Sequence, residues 1–98
     1  MKKISVVVPM YCEEEVVYEC YNRLTNVCDS LKNYEYELIF VNDGSIDKTL
    51  PILEELALKD KNVKVISFSR NFGHQCAVTA GLKYVTGDAI VIKDSDMQ

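Results

Sequence analysis

The sequence predicts an α/β fold with a four-stranded, mainly parallel sheet and helices on both faces. Three observations predict it. Short β-branched apolar runs alternate with longer stretches whose apolar residues recur at steps of three and four. The alternation is strand–helix from end to end, with no repeat, linker or low-complexity segment, and such an order implies crossover connections and parallel pairing. Polar and conformationally special residues gather just after each strand, the edge at which open α/β sheets bind ligands.

The first strand is "KISVVVPM", nearly continuous in apolar residues, as expected of a strand buried on both faces. From Glu13 the period changes. Val17, Cys20, Leu24, Val27, Cys28 and Leu31 form one stripe of an amphipathic helix of about five turns. "YELIFVND" is the second strand. Asp47 then offers an N-cap for a helix running to about Lys59, with Pro51 in its first turn, where a missing N–H costs least. "NVKVISFS" is the third strand and "HQCAVTAGLKYV" the third helix. Gly81 inside that helix costs about 1 kcal/mol against Ala, so close helix–sheet packing is its expected reason. "DAIVIKD" is the fourth strand, after a turn at Thr86–Gly87.

The 98 residues are one domain, 48% hydrophobic and 27% charged, which suits a globular chain with a real core. The net charge of −4 argues against nucleic acid as a partner, since phosphate-backbone binding rests on clustered Lys and Arg. An anionic ligand would need a divalent cation or a helix N-terminus to attract it. No apolar run approaches the roughly 20 residues of a membrane span. The opening "MKKISVVVPMYCEEE" contains Pro9 and leads into glutamates rather than a small-residue cleavage site, so it reads as a strand and a cytoplasmic protein is expected. Cys12, Cys20 and Cys28 recur every eight residues, a rise of about 12 Å per step along a helix, too far for one metal ion. With Cys76 they are expected to be reduced and mostly buried thiols.

The strand ends carry the chemistry. They read "PMYCEE", "VNDGS", "SRNFGHQ" and "DSDMQ", while the other edge, "KNYEYE", "KDKN" and "TG", reads as ordinary solvated turns. In "VNDGS", Asp43 and Gly44 suit either a plain turn or a site in which Asp43 accepts from a base edge and Gly44 lets the backbone approach a ligand. Asp94 and Asp96, at i and i+2 of an extended segment, face one way and repel unless a cation lies between them. Mg²⁺ or Mn²⁺, which prefer oxygen ligands and share phosphates, fit that role, and the Gln98 amide oxygen can join. Arg70 suits either a phosphate contact or a structural ion pair, and His74 either a solvent-exposed helix start or a proton carrier.

The stretches "VVVPMYCEEE", "FVNDGSIDKT", "SRNFGHQCAVTAGL" and "GDAIVIKDSDMQ" resemble, in order and spacing, family 2 glycosyltransferases. They are most similar to the branch that loads a sugar onto a polyprenyl phosphate. The resemblance implies the Rossmann-like nucleotide-binding half of a GT-A fold over residues 1–98. It implies transfer from a UDP- or GDP-sugar to a polyprenyl phosphate, with a divalent metal at the DxD. By motif, Pro9, Tyr11 and Glu13 would line the nucleoside pocket, Asp43 would contact the base, and Asp94 would lie near the ribose and metal. Asp96 and Gln98 would be the metal ligands. Cys12 stands where asparagine is usual, and Lys93 precedes the DxD where an apolar residue is usual. The resemblance places the general base and the acceptor groove in a second half, so these residues are expected to bind the donor, with no catalytic residue among them. An exposed apolar flank and self-association through it are expected where that half would dock. The alternative is a receiver-like or flavodoxin-like regulatory module, disfavoured because no Asp follows the third strand.

Overall fold

The computed structural model describes residues 2–93, so Asp94, Asp96 and Gln98 lie outside the described residues. Its elements follow the expected order: β1 (Lys2–Met10), α1 (Val17–Asp29), β2 (Tyr34–Asn42), α2 (Thr49–Lys59), β3 (Val63–Ser67), α3 (His74–Leu82) and β4 (Ala89–Ile92). The strands pair in the order β3-β2-β1-β4, and every pairing is parallel. This order puts β2 between β1 and β3, whereas flavodoxin-like sheets put β1 between β2 and β3.

Strand alternation sorts the core into two layers. Val6, Val8, Met10, Leu38 and Phe40 point to one face, where they meet Val17, Cys20 and Cys28 of α1 and Leu53 and Leu56 of α2. Val7, Ile39 and Val41 point to the other and meet Ala77 of α3. Two crossovers in one direction along the sheet and a third in the reverse direction account for this split of helices. Gly81 packs as its position predicts. A Cβ there would come within 2.5 Å of Val7 Cγ1 and 3.2 Å of Val41 Cγ2, so the missing side chain lets α3 lie close on β1 and β2.

Several boundaries differ from the periodicity. The first helix has 13 residues and begins at Val17, not Glu13. Residues 13–16 form a turn closed by Val16 N–H donating to Glu13 O at 3.0 Å. Val27, placed on the apolar stripe, is 62% exposed. The third helix stops at Leu82, where the Lys83 and Tyr84 amides close on Ala80 and Gly81 carbonyls. Of the four thiols, all free, only Cys20 and Cys28 are buried; Cys12 and Cys76 are exposed. Burial pushes the Cys20 thiol up to about 11, which keeps it protonated and inert.

Candidate functional site

The β2–α2 loop organises the carboxyl edge of the sheet by holding the two loops beside it. Ser45, Asp47 and Thr49 recur every second residue and take three consecutive N–H groups from the β1–α1 loop. Cys12 N–H donates to Ser45 Oγ (2.9 Å), Glu13 N–H to Thr49 Oγ1 (2.8 Å) and Glu14 N–H to Asp47 Oδ2 (3.3 Å). These bonds hold residues 12–14 in the loop, and the helix begins at Val17. Asp47 is thus a clamp between loops rather than the expected N-cap. Its Oδ1 accepts from Thr49 N–H and Oγ1, while Lys48 occupies the cap position of α2. Burial works against ionisation of Asp47, but the Thr49 and Glu14 donors outweigh it and hold the carboxyl below its ordinary value.

On the other side, Asp43 holds the β3–α3 loop. It is 4% exposed. Its Oδ1 accepts from Phe72 N–H (2.8 Å), and its Oδ2 from Gly73 N–H (3.0 Å) and Asn71 Nδ2 (3.0 Å). Gly44, at φ 70°, allows the crossing of these loops. A Cβ there would fall 2.0 Å from the Arg70 carbonyl carbon and 2.3 Å from Asn71 N. The close approach expected at Gly44 is therefore made by the protein's own backbone and not by a ligand.

Between the clamped loops lies a cleft of about 340 Å³, lined by Pro9, Met10, Tyr11, Glu13, Asp43, Asn71, Gly73, His74 and Ala77. Pro9, Tyr11, Glu13 and Asp43, drawn from the ends of two different strands, thus share one wall system, and the start of α3 closes it. The sequence does not single out Asn71 and Gly73, because nothing local marks them as partners of the Asp43 carboxylate. Tyr11 is half-exposed, and its phenol is raised above its ordinary value first by a hydrogen bond with Cys12, with Asp43 and Asp47 adding to it. Arg70 is not among the lining residues; its guanidinium sits 4.8 Å from the Phe72 ring centroid, a packing role.

β4 runs parallel to β1 and therefore heads toward this same edge. Lys93 N–H donates to Val7 O at 3.0 Å. By strand alternation the next donor on that side of β1 is residue 9, and Pro9 has none. Among the described residues the β1–β4 ladder ends at that bond, beside Pro9. This is the switch in strand order, with β2 and β3 on one side of β1 and β4 on the other. No group of three His, Cys, Asp or Glu among the described residues could hold a metal ion. The expected ligands, Asp96 and Gln98, follow β4 in the chain and lie outside that range.

The profile of the family "Glycosyl transferase family 2" matches residues 5–98. The chain belongs to glycosyl transferase family 2. An uncharacterised glycosyltransferase of Bacillus subtilis (strain 168), YkcC, is 56% identical over 94 residues, covering 96% of this chain and 29% of the relative. The prophage bactoprenol glucosyl transferase homolog of Escherichia coli (strain K12) is 47% identical over 96 residues, 98% of this chain and 31% of that protein. Among solved structures, S. aureus TarS 1-349 superposes with a TM-score of 0.80 at 33% identity, covering 96% of this chain and 27% of that one. It has also been solved with UDP and with UDP-GlcNAc. A mannosyltransferase from Pyrobaculum calidifontis matches with a TM-score of 0.82 at 22% identity, a likeness of fold. The chain spans about three tenths of the length of the curated relatives it matches. The GT-A architecture that the family 2 resemblance implies is the one observed, and the receiver-like alternative is set aside. No helix among the described residues is long and apolar enough to cross a membrane.

Proposed function

We propose that this chain forms the donor-binding part of a glycosyltransferase and takes the nucleotide of a UDP- or GDP-sugar in the cleft at the carboxyl ends of β1 and β2. The observation that carries the reading is the convergence of Pro9, Tyr11, Glu13 and Asp43 on one cleft beside the switch in strand order. Pro9 and Tyr11 offer apolar and aromatic surface to a nucleoside, and Glu13 offers an acceptor to sugar hydroxyls. Asp43 contacts the base and at the same time fixes the far wall through Phe72 and Gly73. That TarS, at 33% identity, binds UDP supports a uridine nucleotide.

Asp94 is proposed near the ribose and metal, with Asp96 and Gln98 as ligands of Mg²⁺ or Mn²⁺. Two carboxylates and an amide oxygen are a hard oxygen donor set, which fits such a cation. When bound, the ion would neutralise charge on the departing diphosphate. The protein's own contribution is positional: the clamped loops hold the nucleoside, and β4, which precedes the carboxylates in the chain, runs toward the same edge. The similarity to relatives such as the bactoprenol glucosyl transferase of Shigella phage SfX, 46% identical, supports a polyprenyl phosphate as acceptor, and the cytoplasmic face of a membrane is proposed as the place of transfer. The half-exposed Ile90, Val91 and Ile92 of β4 support the flank as a surface for self-association, which light scattering would test.

Calorimetry with UDP and GDP, each with and without Mn²⁺, tests the donor assignment. Binding strengthened by Mn²⁺ is expected. Asp96→Asn should remove the Mn²⁺ dependence while leaving thermal unfolding unchanged, and unaltered Mn²⁺-dependent affinity in that variant would exclude Asp96 as a ligand.

A further inference from the structure

The amino edge of the sheet, expected to hold only solvated turns, contains a buried carboxylate that the donor site does not use. Glu37 of β2 has a side chain only 2% exposed. Its Oε2 accepts from Ser5 Oγ (2.6 Å), Thr86 N–H (2.8 Å) and Thr86 Oγ1 (3.1 Å). Its Oε1 pairs with Lys64 Nζ at 2.6 Å and lies 3.6 Å from Lys3 Nζ. The partners come from β1, β3 and the turn that feeds β4. Around this carboxylate the turn is stitched to β1: Gly87 N–H donates to Ser5 Oγ (2.9 Å), Lys3 N–H to Asp88 Oδ2 (2.9 Å), and Asp88 N–H to Lys3 O (2.7 Å). A Cβ on Gly87 would lie 2.6 Å from Ser5 Oγ and 2.8 Å from Ser5 N, so only glycine lets the turn sit this close.

β4 needs such an anchor. Its four residues, Ala89, Ile90, Val91 and Ile92, are all exposed and all apolar, so neither burial nor alternation distinguishes one register from the next. We propose that Glu37 is a positioning residue. It fixes the register of β4 on β1, with Ile4 opposite Ala89 and Val7 opposite Ile92, and so sets the point from which the chain continues to the proposed ligands Asp94 and Asp96. The second half of this statement rests on the donor-site reading above. A slip of one residue moves the strand by about 3.3 Å and turns every side chain to the other face. Metal–oxygen bonds of about 2.1 Å do not survive that displacement.

Glu37→Gln tests the proposal, with Gly87→Ala as a second variant that displaces the same turn and leaves the carboxylate intact. Backbone NOEs and amide exchange report the register directly. We expect β1–β2 contacts to persist while the 89–92 amides lose protection at least tenfold more than those of β2. The Mn²⁺-dependent gain in UDP affinity should fall at least fivefold, and metal-free UDP affinity should change less than twofold. Unchanged β1–β4 NOEs and protection in both variants would overturn the register claim. Equal loss of protection across β1, β2 and β4 would also overturn it, because that is the signature of general destabilisation. Wild-type protein with no Mn²⁺ gain would refute the donor-site reading and the delivery of carboxylates with it, while the NOEs alone decide the register.

Discussion

Replacing Asp43 with alanine separates its role as a wall of the cleft from any role toward ligand. The variant leaves Phe72 N–H and Gly73 N–H without their acceptor, while Asn71 Nδ2 loses Oδ2 but keeps its bond to the residue-43 carbonyl (3.2 Å). A hydrogen bond to a charged acceptor is worth about 1.5–3 kcal/mol. Phe72 is 48% exposed, so water replaces part of what is lost and the lower figure applies. Two backbone donors then cost about 3 kcal/mol together, and Asn71 adds little because its amide keeps the residue-43 carbonyl. For a domain of this size that lowers the midpoint of thermal unfolding by about 12–24 °C. Asp43→Asn keeps one acceptor oxygen but turns an NH₂ toward a donor, so about 2 kcal/mol is expected. Urea unfolding followed by tyrosine fluorescence measures both, the chain having six tyrosines and no tryptophan. A loss below about 0.5 kcal/mol in Asp43→Ala, within the range of ordinary surface substitutions, would refute the claim that this carboxylate holds the β3–α3 loop.

Two further predictions concern Glu37 of β2 and Cys12 in the β1–α1 loop. Burial opposes ionisation of Glu37, but Lys64, Ser5 and Thr86 outweigh it and lower its pKa from 4.5 to about 2. A lowered folded-state pKa contributes stability that is complete above the unfolded value and is lost as pH falls from about 4.5 to 2. At about 1.4 kcal/mol per pH unit the loss is about 3 kcal/mol, so wild type and Glu37→Gln should converge in stability over that window. Parallel pH profiles in urea unfolding would contradict this. Cys12 has φ 51°, a conformation asparagine adopts readily and cysteine does not. Cys12→Asn should therefore stabilise the chain by about 0.5–1 kcal/mol, with the amide bond to Ser45 Oγ retained; a destabilised variant in the same assay would contradict it.

The sheet was legible in the sequence because its causes are local. β-branched runs between helical periods fix the strands, and parallel pairing then fixes which loops share an edge. That edge brought "PMYCEE" and "VNDGS" together, and the family 2 resemblance picked out Pro9, Tyr11, Glu13 and Asp43 within them. What escaped the sequence depends on partners far along the chain. Asp47 reads as an N-cap until the Glu14 amide, 33 residues away, is seen to bond it. Gly44 reads as ligand contact until the backbone at Arg70 fills the space. Glu37 sits in "KNYEYE", a stretch with the composition of a solvated turn, and its burial follows only from Ser5, Lys64 and Thr86, 32, 27 and 49 residues away. A buried charge is invisible to periodicity because its cost is offset entirely by residues that periodicity does not relate to it.

Mn²⁺ bound together with UDP offers the most direct test, since the paramagnetic ion broadens only the amide signals near it. The donor-site account predicts that amides of residues 10–13, 43–45 and 71–77 broaden in the ¹H–¹⁵N spectrum while those of Lys3, Glu37, Lys64 and Thr86 stay sharp. Broadening centred on the Glu37 end of the sheet, or none at saturating UDP and Mn²⁺, would contradict it.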